Sequence, residues 1–306
     1  MATTNILALA NAPRDQSSSE GSIFFIGNAT VLVRVAGFTF LTDPTFIHRH
    51  ERTWLGFGLQ TTRLTDPAVE LADLPPLDFV LLSHFHGDHF DQVAERDLDK
   101  SLPIVTTLES AEALRQRGFT ALYPLAVWES LSVEMGGARL RITATPARHG
   151  PPMLDFTLPD VMGSIVDVQS ERGGHFRMYI SGDTLLIDEL REIPQRMPGI
   201  DLALLHLGGT RVMGILVSMD AVQGVQALQT IEPEVAIPVH YNDYDVFTSS
   251  LEDFQAEVAK AALQSRVRYL RHGETYRFAL KPATHTGIES PASGDEVSVQ
   301  RGGANP

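Results

Sequence analysis

Between positions 83 and 89 the chain reads Ser83-His84-Phe-His86-Gly-Asp88-His89, which places three imidazoles and a carboxylate within six residues. Neutral imidazole and carboxylate are ligands for Zn²⁺, Mn²⁺ or Fe. The 306 residues include no cysteine, which excludes thiolate sites, iron–sulfur clusters, disulfides and a thiol nucleophile. Any metal must therefore be held by nitrogen and oxygen. A turn of this composition can aim alternate side chains at two neighbouring ions. A lone histidine is usually structural, but four candidate ligands at this spacing argue against a chance surface cluster. No Gly-x-Ser-x-Gly occurs, so a serine-triad hydrolase has no local support.

The cluster follows Asp78–Ser83, a short apolar run of the kind buried on both faces of a sheet. Upstream, Ser22–Ile26, Thr30–Val35 and Phe38–Thr42 read as strands joined by tight turns at Gly27-Asn28 and Ala36-Gly37. Further strands are expected at Pro103–Thr107, Leu131–Met135, Leu140–Thr145, Ser164–Gln169, Phe176–Ser181, Leu202–Leu205 and Val235–Val239. Helices are expected at Glu109–Arg117, Thr184–Glu192, Met219–Ile231 and Leu251–Leu263. Ser218 or Asp220 would cap the third and Ser249 or Ser250 the last. Such an alternation predicts a layered α/β domain over residues 21–280. Residues 1–20 and 281–306, polar or rich in Pro, Gly, Ser and Thr, read as loose tails.

His-x-His-x-Asp-His after an apolar strand resembles the signature of the metallo-β-lactamase superfamily, and the resemblance extends over roughly residues 22–280. The segments Ile-Gly27-Asn-Ala-Thr-Val-Leu-Val and Leu41-Thr-Asp43-Pro44 are similar to the branch of ascorbate-phosphate lactonases and N-acylphosphatidylethanolamine-hydrolysing phospholipase D. The resemblance implies a four-layer αββα sandwich of two mixed sheets flanked by helices. It also implies three later ligands, for which the chain offers His149 in Thr145-Pro-Ala-Arg-His149-Gly, Asp183 in Ser181-Gly-Asp183-Thr, and His240 in Ile237-Pro-Val-His240-Tyr. On that pattern His84, His86 and His149 hold one metal, Asp88, His89 and His240 hold a second, and Asp183 bridges them. Two divalent ions, Zn²⁺ first and Mn²⁺ or Fe as alternatives, would lower the pKa of a shared water from about 15.7 toward 7. Asp88, which can orient that water, and Asp183 are the catalytic carboxylates. The implied reaction is hydrolysis of an ester, lactone or phosphodiester.

The alternatives are a mononuclear iron dioxygenase on the same scaffold, which uses fewer ligands, and a non-catalytic metal-binding protein. A flavodiiron protein would carry a carboxylate at His86. A net charge of −14 disfavours nucleic acid as a partner. No apolar run approaches the roughly 20 residues of a membrane span, and no basic n-region precedes Asn5–Ala12, so a cytoplasmic location is expected. His206, after another apolar strand, is read either as a proton donor or substrate contact, or as a core histidine with its hydrogen bonds satisfied. His48 and His50 are read as loop residues at the entrance. Trp54-Leu-Gly-Phe57-Gly-Leu59, Pro152-Met-Leu-Asp-Phe156 and Arg211-Val-Met-Gly-Ile215-Leu-Val are candidate pocket walls for a small-molecule substrate with an apolar portion, or else local packing. Sequence leaves the oligomeric state open.

Overall fold

The computed structural model describes residues 5–9, 19–56, 58–154 and 157–282. Side chains on a strand alternate between faces, and here the alternation sorts residues between two layers of core. In Thr30–Val35, Val31, Val33 and Val35 enter the central core while Leu32 turns outward. In Leu202–His206, Leu202 and Leu204 point inward, and Ala203 and Leu205 meet the opposite layer. Both faces of these strands are covered, which is why they read as unbroken apolar runs.

One sheet runs Thr275–Ala279, Glu20–Gly27, Thr30–Val35, Phe38–Thr42, Phe79–Leu81, Ile104–Thr106, Leu122–Pro124. The other runs Asn5–Ala8, Ser130–Met135, Ala138–Thr145, Gly163–Gln169, Gly174–Ile180, Leu202–His206, Val235–Val239, with Lys281–Pro282 paired to Gly174–Ile180. Their inner faces share one core, joining Ile23, Phe40 and Phe79 to Leu140, Val166 and Met178. Helices Ala221–Ile231 and Leu251–Lys260 cover the outside of the second sheet. The first is covered by Gln92–Asp97 and Leu108–Gln116. The result is the expected αββα sandwich.

Asp220 caps Ala221–Ile231 by accepting from the Gln223 amide, and Ser250 forms a capping box with Asp253. Thr184–Glu192 is not a helix. Its amides are engaged elsewhere, Leu185 with the Arg148 carbonyl and Leu186 with the Gln223 side chain, so only a 3₁₀ turn at Asp188–Arg191 and a short helix at Glu192–Arg196 form. The helix Gln92–Asp97 and the strands Leu122–Pro124 and Thr275–Ala279 were not foreseen. Nor was Asn5–Ala8, a strand inside the segment expected to be a tail; it pairs in parallel with Leu131–Glu134 and buries Leu7. Residues 10–18 and 283–306, where loose tails are also expected, lie outside the described residues.

Candidate metal centre

The residues with metal-ligating chemistry sit at the carboxyl ends of strands along one edge of the sandwich. Asp43 follows Phe38–Thr42, the His84–His89 turn follows Phe79–Leu81, His149 follows Ala138–Thr145, Asp183 follows Gly174–Ile180, and His240 follows Val235–Val239. All seven positions expected from the sequence converge. Ligand atoms of His84, His86 and His149 lie within 4.8 Å of one another, and so do those of Asp88, His89 and His240. Asp183 groups with His84 and His89 at the same spacing and thus stands between the two triads. Its Oδ1 is 3.5 Å from His89 Nε2 and 3.3 Å from His240 Nδ1. His240 Nε2 faces Asp88 Oδ2 at 3.4 Å.

Hydrogen bonds from the surroundings fix which ring nitrogen is left for a cation. A carbonyl only accepts, so His149 donates through Nδ1 to Val217 (2.7 Å) and turns Nε2 inward. Ser83 gives its hydroxyl proton to Asp43 (3.0 Å), and its oxygen therefore accepts from His84 Nδ1 (3.0 Å). That leaves His84 Nε2 3.1 Å from His86 Nδ1. His89 directs Nδ1 at Asp43 Oδ2 (3.2 Å) and leaves Nε2 free. Second-layer partners of this kind orient metal-binding imidazoles.

The donor set fits divalent metal. Asp88 Oδ1, His89 Nε2, Asp183 Oδ1 and both nitrogens of His240 are buried without a hydrogen-bond partner. Each such group costs roughly 1–3 kcal/mol when left unpaired, and a cation among them would satisfy several at once. Protonation agrees with that chemistry. Burial, then the neighbouring imidazoles, pushes His84 well down, and burial and His149 push His86 down to about 3. Burial also lowers His149. For Asp183 and Asp88 burial acts upward, but nearby histidines, His240 and His89 for Asp183 and His89 and His240 for Asp88, hold both carboxyls below their usual range. Burial acts downward on His89, yet Asp183 and Asp88 hold it well above the ordinary histidine value. Because a ligating imidazole must be neutral, a metal cation bound there would displace the proton that these carboxylates favour.

Two contributors were not singled out as site residues in the sequence. Asp43, almost fully buried, accepts from the Ser83 amide (2.7 Å), the Ser83 hydroxyl, His89 and His206. Burial opposes ionisation of Asp43, but the bonds from His206 and His89 prevail and bring its carboxyl down to about 2. Its signal was Leu41-Thr-Asp43-Pro44, read only as part of a resemblance. Asn28 donates its carboxamide to the Asp88 carbonyl. His206 is buried, with Nδ1 at Ser181 Oγ (3.1 Å) and Nε2 at Asp43 (3.4 Å), so both ring nitrogens have partners, and its ligand atom lies within 4.8 Å of those of Asp43 and His89. His48 lies exposed between Asp66 and Glu70, and neither His48 nor His50 joins these ligand groups.

Two His/Asp triads with Asp183 between them, on the edge of an αββα sandwich, form a candidate metal centre of the metallo-β-lactamase type. The family described as "Beta-lactamase superfamily domain" matches residues 39–241, a span holding every position above except Asn28. The chain belongs to that superfamily, among its metal-dependent hydrolases. It is 30% identical over 190 residues to a UPF0173 metal-dependent hydrolase of Natranaerobius thermophilus, covering 62% of this chain and 76% of the relative. An isothiocyanate hydrolase from Delia radicum gut bacteria superposes with a TM-score of 0.72 at 22% identity, covering 84% of this chain and 99% of that one. CmlA, a diiron β-hydroxylase from Streptomyces venezuelae, superposes with a TM-score of 0.61 at 17% identity, covering 86% of this chain and 55% of that one. These two likenesses concern the fold. Among the described residues no helix is long and apolar enough to cross a membrane.

Proposed function

We propose that the chain hydrolyses an ester, lactone or phosphodiester bond in a small molecule with an apolar portion, at a centre of two divalent ions, Zn²⁺ first. The observation that carries this reading is the position of Asp183 between the two triads. On this reading His84, His86 and His149 would hold one ion, Asp88, His89 and His240 would hold the other, and Asp183 would serve both. Ions so placed supply Lewis acidity and acidify water toward neutral pH. The protein orients three of these residues in advance, His84 through Ser83, His89 through Asp43 and His149 through the Val217 carbonyl. Asp88 has two carboxylate oxygens, so that with one on the ion the other would accept a proton from the attacking water.

The apolar portion is supported by the loops around the ligands. The hairpin Arg52–Trp54/Gln60–Thr62 is tied to the His-rich turn through the Gly87 amide and the Trp54 carbonyl (2.9 Å). The hairpin Arg211–Val212/Ile215–Leu216 reaches His149 and Gly150 through Val217. Trp54, Met153 and Met213 are 60%, 68% and 97% exposed, which argues against local packing as their role. Phe57, Asp155 and Phe156, also expected as wall residues, lie outside the described residues. A cleft of about 430 Å³ adjoins His149 and is lined by Leu108, Val127, Leu158 and Met162, with Arg148 at its side.

The test is metal content per chain together with turnover of nitrophenyl esters, acyl lactones and bis-nitrophenyl phosphate. About two equivalents of zinc or manganese and turnover of at least one class are expected. Asp183→Ala should lose one equivalent and most activity while its far-ultraviolet circular dichroism is unchanged. One equivalent of iron would favour the dioxygenase, and full metallation without turnover a binding protein.

A further inference from the structure

Gly27 and Asn28 turn the chain between two strands of the first sheet, and Asn28 reaches both Asp88 and His240. It is fully buried, with left-handed backbone (φ 55°). Its carboxamide nitrogen donates to the Asp88 carbonyl, and its own carbonyl accepts the His240 amide (2.8 Å). Asp88 and His240 belong to the same triad. The other triad is held differently, by Ser83 at His84 and Val217 at His149.

Asn28 is locked from behind. Its amide donates to Asp243 Oδ2 (2.7 Å), a carboxylate that also accepts from Thr65 and faces His272 Nε2 at 3.2 Å. The fully buried Arg63 lies 3.9 Å from Asp243 and donates to Thr45 (3.1 Å), Tyr244 (3.2 Å) and the Thr65 carbonyl (3.2 Å). Gly27 leaves room for this group. A Cβ there would lie 2.9 Å from the guanidinium and 3.1 Å from the His272 ring, and its φ of +143° disfavours other residues. A buried charge pair is a poor route to stability, since apolar residues of equal volume often do as well. What this pair adds is direction at the Asn28 amide.

We propose that Asn28, locked by Asp243 and Arg63, is a positioning residue for the Asp88, His89 and His240 metal position and not for the other. This rests on the two-ion reading above. The test titrates metal-stripped full-length protein with Zn²⁺ against a chromophoric chelator, with His240→Ala and His149→Ala assigning each dissociation constant to its position. Asn28→Gly tolerates the left-handed backbone, keeps both main-chain bonds and deletes only the carboxamide. It should weaken the His240-assigned constant by about 10–100-fold and leave the His149-assigned one unchanged. Asp243→Asn should act in the same direction, whereas Asp167→Asn, at a separate buried ion pair with Arg177, should move neither. Unchanged constants in both Asn28→Gly and Asp243→Asn, or equal weakening of the two positions, would overturn the proposal. If Asp243→Asn fails to fold, Asn28→Gly decides alone. A wild type that takes a single ion would refute the two-ion reading itself, and the proposal with it, before any variant is made.

Discussion

Gly87 stands between the candidate ligands His86 and Asp88, and its lack of a side chain has a measurable consequence. A Cβ there would lie 2.5 Å from the Trp54 carbonyl oxygen and 2.9 Å from the Trp54 nitrogen, both backbone atoms of the adjoining hairpin. Ordinary contact requires the hairpin or the turn to retreat by about 1 Å. Gly87→Ala should therefore destabilise the fold by about 1–3 kcal/mol, as overpacking commonly does. It should also stretch the Gly87–Trp54 hydrogen bond and shift the flanking ligands. Displacement on that scale can reduce kcat/KM by about 10²-fold. The assay combines turnover of whichever probe the wild type accepts with fluorescence of Trp54, read in a Trp128→Phe background because the chain has two tryptophans. Wild-type kcat/KM with unchanged Trp54 emission in Gly87→Ala would refute the argument that hairpin and turn are in rigid contact.

Asp43→Asn removes a charge that draws donors from Ser83, His89 and His206, and it puts an amide where an acceptor is needed. Metal affinity should fall by about 10–100-fold with the seven candidate ligands intact, as chelator competition would reveal. Asp167, buried beside His175 and Arg177, offers a pH test away from the metal. Burial acts to raise its pKa, but hydrogen bonds from His175 and Arg177 hold it below the ordinary aspartate value of 3.8. Its contribution is thus present above pH 3.8 and lost as pH falls through the lower folded-state value. Asp167→Asn should cost about 2 kcal/mol at pH 7. Urea midpoints of the two proteins should converge below pH 3.8; a constant gap would refute the linkage.

The His84–His89 turn was legible because its ligands are neighbours in sequence, so their spacing carries the geometry. His149, Asp183 and His240 became readable only through the resemblance, since each alone is an ordinary polar residue after a strand. Asn28, Ser83 and the Val217 carbonyl were hidden for a different reason: their roles are set by contacts across the fold. Asp43 meets Ser83 across 40 residues of sequence, and a main-chain carbonyl leaves no mark on sequence at all. Strands were legible as short apolar runs, because both of their faces are covered by apolar layers. Thr184–Glu192 misled because helical periodicity does not record which amides tertiary partners will take.

Three residues around the centre, Asn28, Asp43 and His240, hold left-handed backbone at φ 55°, 33° and 60°. Such conformations cost of order 1–3 kcal/mol each in non-glycine residues and persist only where the surroundings over-determine them. Here they do. The His240 amide is taken by Asn28, the Asn28 amide by Asp243, and the Asp43 amide by the Leu81 carbonyl at 3.2 Å. A sharp turn directly after a strand keeps a side chain at the sheet edge, so that His240 and the buried Asp43 reach His89 from opposite sheets. At His84, His89 and His149 it is the partners behind the rings, Ser83, Asp43 and the Val217 carbonyl, that orient the nitrogen a metal would meet. Exchanging an acceptor should therefore retune the centre without removing a ligand.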